Sequence, residues 1–158
     1  MLKVSQKTEY AMRAMIELAL RRAKVGDTLI PARSIAEAQR IPLRFLEQQL
    51  GALHKAGLVE SFRGAGGGCR LSRDPAATTM ADIVDAIEGP MYPMYCLEEE
   101  DHTCFQDSMC GLQELWGDVF AAIRRVFEHT TLAELARRHQ RITAAPMFAL
   151  SELIRPRS

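Results

Sequence analysis

The chain has 158 residues, 47% of them hydrophobic and 25% charged, enough for one compact domain with an extra element or two. No apolar run is long enough to span a membrane, and Arg13 and Glu17 interrupt Ala11–Leu20, which excludes a secretory core segment there. The expectation is a cytoplasmic protein whose four cysteines stay reduced and read as metal ligands, reactive groups or core residues before disulfides. The zero net charge conceals a split. Residues 1–73 carry thirteen Lys/Arg against six Asp/Glu, a balance of +7, and residues 74–158 carry seven against fourteen, a balance of −7. A basic first half points to a polyanion as its partner.

The first predicted helix covers residues 6–23, where Ala11, Ala14, Met15, Leu18 and Ala19 recur at three- and four-residue steps until Gly26–Asp27. A short helix follows over Pro31–Ala38, broken by Ile41-Pro42. Another runs from about Leu43 to Ala56, with Leu46, Leu50 and Leu53 on one face and Gly57 suited to the left-handed position beyond its end. Two short helices with a tight turn form a helix-turn-helix candidate. Leu58–Phe62 and Cys69–Leu71 read as strands around Arg63-Gly64-Ala65-Gly66-Gly67-Gly68, a β-hairpin with a bare tip and a basic base, the shape of a wing. Thr79 with Asp82 opens a helix that stops at Gly89-Pro90. After an irregular segment over 90–110, a longer helix begins near Gly111. Leu112, Leu115, Val119, Ile123 and Val126 form a near-heptad stripe there, flanked by Trp116, Phe120 and Phe127. So much apolar surface on so small a protein suits a dimer interface. Thr131–Glu134 is a capping box for a last short helix, and the pattern fades beyond Arg141. The expected fold is mainly α with a small β-hairpin wing. Residues 1–89 form a winged helix-turn-helix, 90–110 a cysteine-rich loop, 111–141 a dimerisation helix with a short C-terminal helix, and 142–158 a tail.

A recognition helix presents polar side chains to base edges while its other face stays in the core. Arg44, Glu47 and Gln48 avoid the leucine stripe and lie near the helix start. Arg bonds guanine bidentately, Glu accepts from cytosine and Gln pairs with adenine. Arg33 and Ser34 open the preceding helix, where amides and a hydroxyl suit phosphate, and Arg63 at the wing is placed for a minor groove. Cys96, Cys104 and Cys110 form C-x7-C-x5-C on the irregular segment, where a loop can bend three thiolates onto one inorganic centre. The spacing is neither the paired C-x2-C of a zinc ribbon nor the tight run of a bacterial ferredoxin.

Thr8-Glu9-Tyr10-Ala11-Met12-Arg13-Ala14, Phe45-Leu46-Glu47-Gln48, Ala56-Gly57-Leu58-Val59, the Arg63–Gly68 run and the three cysteines together resemble the bacterial iron–sulfur-cluster winged-helix transcription regulators, the IscR/NsrR/RirA-like family, over about residues 1–140. The resemblance implies a homodimer that binds near-palindromic, double-stranded promoter DNA. It also implies a response to iron supply, iron–sulfur status, oxidants or nitric oxide. It places Glu47 at a base-reading position, Arg63 at a minor-groove position and Cys96, Cys104 and Cys110 as cluster ligands. IscR-like members carry a His three residues after the last cysteine, where this chain has Gln113. NsrR-like members use a carboxylate near the N-terminus of the partner subunit, a place that Glu9 occupies. The cysteine spacing looks most like RirA, so the resemblance implies a 4Fe–4S cluster in preference to 2Fe–2S. His102 is a rival fourth ligand, and Cys69 reads as a small half-buried hydrophobe.

Three other functions compete. A protein of the same fold would use the cysteines as thiol sensors or as a zinc site, and another would bind DNA without sequence preference. An enzyme would pair a nucleophilic cysteine with His102, but neither a Gly-rich phosphate loop nor an ordered triad accompanies the thiol, so the expectation is that the chain is not an enzyme.

Overall fold

The computed structural model describes residues 4–89 and 111–144. Helix α1 (Gln6–Val25) starts at Ser5, whose hydroxyl accepts the Thr8 N–H, and buries Ala11, Ala14, Met15, Leu18 and Ala19 along one face. All five positions are those read from the sequence, and the helix runs two residues further. Helix α2 (Ala32–Gln39) and helix α3 (Leu43–Lys55) each begin after a proline. Between them Arg40 adopts the left-handed region at φ 52°, with its N–H on the Ala36 and Glu37 carbonyls, and this one residue makes the turn. Leu46, Leu50 and Leu53 of α3 pack into the core with Met15 and Ile35, and Gly57 takes φ 70° beyond the helix end.

Strands β1 (Val59–Phe62) and β2 (Gly68–Leu71) pair antiparallel, with Val59 opposite Leu71 and Phe62 opposite Gly68. The tip between them uses Gly64 and Gly66 at φ 101° and 80°, a region side chains avoid. The hairpin is also tied to the helix-turn-helix. Ile30, two residues before α2, exchanges two backbone hydrogen bonds with Cys69, at 2.8 and 2.9 Å.

Helix α4 (Met80–Glu88) opens on the full Thr79/Asp82 capping box and ends at Gly89. Helix α5 (Gly111–His129) follows the cysteine segment and buries none of its own residues. Arg124 anchors it to α4 through Asp85 at 2.6 Å, and half-buried Phe127 leans on the core. Leu112, Leu115, Val119, Ala122 and Val126 are exposed along one line. Ile123, expected in that stripe, is half-buried, because its position on the wheel turns toward the Trp116–Phe127 flank. Helix α6 (Leu132–Ala144) runs three residues past the point where the sequence pattern fades. It folds back on α1: Leu132 is fully buried and Ala136 joins the core, so the winged-helix unit is completed from beyond α5. Its entry is pinned by hydrogen bonds from Met80 N–H to Thr130 and from Leu132 N–H to Thr78. Among the described residues no helix is long and apolar enough to cross a membrane.

Gly68 lets the hairpin approach Ile30, since a Cβ there would sit 2.7 Å from the Ile30 carbonyl carbon and oxygen. Gly68→Ala is expected to lower stability by about 2 kcal/mol through that backbone clash. An unchanged denaturation midpoint would show that the hairpin does not rest on Ile30.

Candidate nucleic-acid interface

The inner face of α3 is fixed by Leu46, Gln49, Leu50 and Leu53, so Arg44, Glu47, Gln48, Gly51 and Lys55 must face outward, and all five are exposed. The hairpin stands beside this face. Between the two elements lies an open cleft of about 680 Å³ whose walls include Arg33, Glu47, Gly51, His54, Phe62 and Arg63. The structure therefore brings together three of the six residues expected at DNA: Arg33 from α2, Glu47 from α3 and Arg63 from the hairpin. Arg44 and Gln48 lie on the outer face of α3 beyond the cleft. Ser34 is half-buried in the first turn of α2, where its N–H bonds the Pro31 carbonyl at 2.9 Å. None of Arg33, Arg44, Glu47 and Arg63 forms a salt bridge with another described residue. Their charges are uncommitted within the described fold, as phosphate and base contacts require.

Sequence reasoning missed Gly51, His54 and Phe62. The signal was present, because Glu47, Gly51 and His54 are spaced i, i+4, i+7 and share one flank of α3. His54 Nδ1 donates to the Val59 carbonyl at 2.9 Å, which fixes the ring against β1. Phe62 is held by Arg70, whose guanidinium lies 5.8 Å from its ring centre and is itself paired with Glu60.

Cys96, Cys104, Cys110 and His102 lie outside the described residues, and among the described residues no group of three His, Cys, Asp or Glu side chains is placed to hold a metal. Gln113 is half-buried in the first turn of α5. Glu9 is in the first turn of α1, and among the described residues its exposed carboxylate pairs with Arg13, at 3.3 Å. Arg13 also donates to the Gln39 carbonyl at the end of α2. One guanidinium thus spans from Glu9 to the turn of the helix-turn-helix. The last turn of α4 meets the same end of α1, where the Ser5 and Thr8 hydroxyls both donate to Glu88. These two hydrogen bonds, Ser5 first, hold the Glu88 carboxyl below the usual carboxylate range. Its contribution to stability is present above that range and lost as pH falls through the lowered value.

Cys69, expected to be half-buried, is 2% exposed, because β2 presses it against Ile30, and its Sγ–H points at the Ile30 carbonyl. Burial pushes its thiol up to about 11.

The hairpin beside a helix-turn-helix, with the cleft between them, defines a winged-helix protein of the DNA-binding regulator class. Residues 4–138 match the Rrf2 family, described as an iron-dependent transcriptional regulator. The HTH-type transcriptional regulator CymR of Bacillus subtilis is 38% identical over 135 residues, spanning 85% of this chain and 90% of that protein. The HTH-type transcriptional regulator IscR of Vibrio vulnificus is 34% identical over 134 residues, spanning 85% and 77%. Among solved structures, CymR, titled the global cysteine regulator of B. subtilis, superposes with a TM-score of 0.70 at 37% identity, covering 87% of this chain and 98% of that one. T. potens IscR superposes with a TM-score of 0.71 at 31% identity, covering 93% and 95%. The chain belongs to the Rrf2 family of transcriptional regulators.

At pH 8 a thiol titrating near 11 is ionised in about one molecule in a thousand, and only the thiolate reacts. Native protein treated with iodoacetamide is therefore expected to keep Cys69 unmodified until denaturant is added. Labelling of Cys69 at the rate of a free thiol would contradict its burial.

Proposed function

We propose that this chain is a homodimeric, cytoplasmic transcription regulator, rather than an enzyme, whose promoter binding is controlled by an iron–sulfur cluster. The observation that carries the DNA part is the cleft that gathers Arg33, Glu47 and Arg63 between α3 and the hairpin. Arg44, Glu47 and Gln48 read base edges in the major groove, Arg63 enters the minor groove, and Arg33 with Ser34 holds phosphate. Functionally, residues 1–89 serve DNA, 90–110 the cluster and α5 the dimer. The exposed line of Leu112, Leu115, Val119 and Val126 supports the dimer, since burying what remains exposed of each side chain yields roughly 1 kcal/mol that the single chain leaves unused.

Cys96, Cys104 and Cys110 supply three thiolates, and Glu9 of the partner subunit the fourth ligand. The fit rests on donor chemistry. Glu9 offers an exposed carboxylate held by one exposed pair to Arg13, so it is free to exchange partners, whereas buried Cys69 is not. When bound, the cluster, 4Fe–4S in preference to 2Fe–2S, supplies a centre reactive to iron supply, oxidants or nitric oxide. The chain's own part is to report that state to DNA. Arg13 joins Glu9 to the carbonyl at the end of α2, so a change of partner at Glu9 acts on the turn that sets α3. A second reading, a thiol- or zinc-based sensor of the same fold, is favoured by the 38% identity to CymR, whose structure is titled a global cysteine regulator.

Anaerobically purified protein is expected to be brown, with iron and sulfide, and to lose that absorbance in each of Cys96→Ala, Cys104→Ala and Cys110→Ala. A colourless protein containing zinc would exclude the cluster, and a Cys104→Ala variant with an unchanged cluster spectrum would exclude the three-cysteine ligand set. On operator DNA, Glu47→Ala is expected to relax base preference, and Arg63→Ala to weaken binding and flatten its salt dependence. Val119→Glu is expected to yield monomer in sedimentation, because an unpaired charge buried at an interface costs several kcal/mol, on the order of a hot spot. An intact Val119→Glu dimer would place the interface elsewhere.

A further inference from the structure

Gly51 lies in the interior of the 13-residue helix α3, on the exposed face, with ordinary helical backbone. A Cβ built there would meet nothing within 4 Å. No contact inside the described fold therefore asks for glycine, and alanine would hold the helix better. Gly51 is also a wall residue of the cleft, on the flank that carries Glu47 and His54. The opposite wall is Arg63 with Gly64, Gly67 and Gly68, and Arg33 lines the cleft as well. A helix in the major groove and a hairpin in the adjoining minor groove have one sugar–phosphate strand between them, because that strand is what separates the two grooves.

We propose that the cleft between α3 and the hairpin seats that single strand of duplex DNA, and that Gly51 is bare so that the strand lies directly against the α3 backbone. Arg33 and Arg63 supply the charge and Gly51 supplies the clearance. A methyl group at position 51 would hold the strand off the helix, loosening close backbone contacts and the reach of Arg33 and Arg63 together. The proposal rests on the DNA interface assigned above and adds the path of the strand across it.

The test uses the full-length protein and duplexes that the wild type retains from a random pool. Gly51→Ala is expected to raise Tm by roughly 3 °C, as for any exposed helix glycine, yet to bind those duplexes about tenfold more weakly at the same salt. Its base preference should be unchanged, since no reading side chain is altered. A Gly51→Ala protein with raised Tm and wild-type affinity, alongside a weakened Arg63→Ala, would overturn the clearance role and leave the interface standing. A lowered Tm in Gly51→Ala would assign the glycine to internal packing and overturn it as well. Wild-type binding by Arg63→Ala and Glu47→Ala together would displace the interface, and the strand path with it.

Discussion

The edge of the hairpin in this protein is paired with the strand-like residue before its helix-turn-helix, Ile30 with Cys69, through two backbone hydrogen bonds made in a buried setting. A two-stranded hairpin alone is marginal in water, so this third edge gives it a fixed direction. The orientation of the hairpin sets the width of the cleft, and with it the separation of Arg63 from Glu47 across it. Two side-chain choices protect the contact. Gly68 removes the Cβ that would strike Ile30, and Cys69 supplies a small apolar side chain whose one polar group finds the Ile30 carbonyl.

Helix α1 is the second organiser. Its small residues allow α3, α4 and α6 to pack close around it, and its first turn is where contacts from several elements meet. Glu88 arrives there from the end of α4, two residues before the cysteine segment begins, and Glu9 projects from the same turn. Arg13, one turn further on, reaches the end of α2. The ends of α4 and α2 are thus both hydrogen-bonded to the first two turns of α1, through Glu88 and through Arg13.

Most of the architecture was legible in the sequence because its signals are local. The leucine spacing of α3, the Thr79/Asp82 box and the glycine run of the hairpin each act within a few residues, and each appears in the structure where the pattern put it. What escaped depends on contacts between distant segments. Cys69 was read as half-buried because nothing near it in sequence announces Ile30, thirty-nine residues earlier, as its cover. Ile123 matched the heptad step, yet it is half-buried, one turn from Phe127, which packs on the core. The return of α6 onto α1 was invisible for the same reason, since Leu132 reads as an ordinary helix residue until α1 is placed beside it. Of the candidate site, Arg33, Glu47 and Arg63 were found by residue type and position. Gly51 was passed over because sequence patterns register side chains, and its contribution is the lack of one.

The return of α6 also sets an order of events during synthesis. A ribosome that has made residues 1–89 has produced every part of the reading surface but not Leu132 and Ala136, which close its core. Forty-two residues separate Gly89 from Leu132, and they include Cys96, Cys104, Cys110 and all of α5. At about 5–20 residues per second the incomplete unit waits some seconds for its last helix. By then the three thiols and the exposed face of α5 have already been made. The nascent chain therefore cannot close the core of its winged helix before the cysteine segment and α5 have been made.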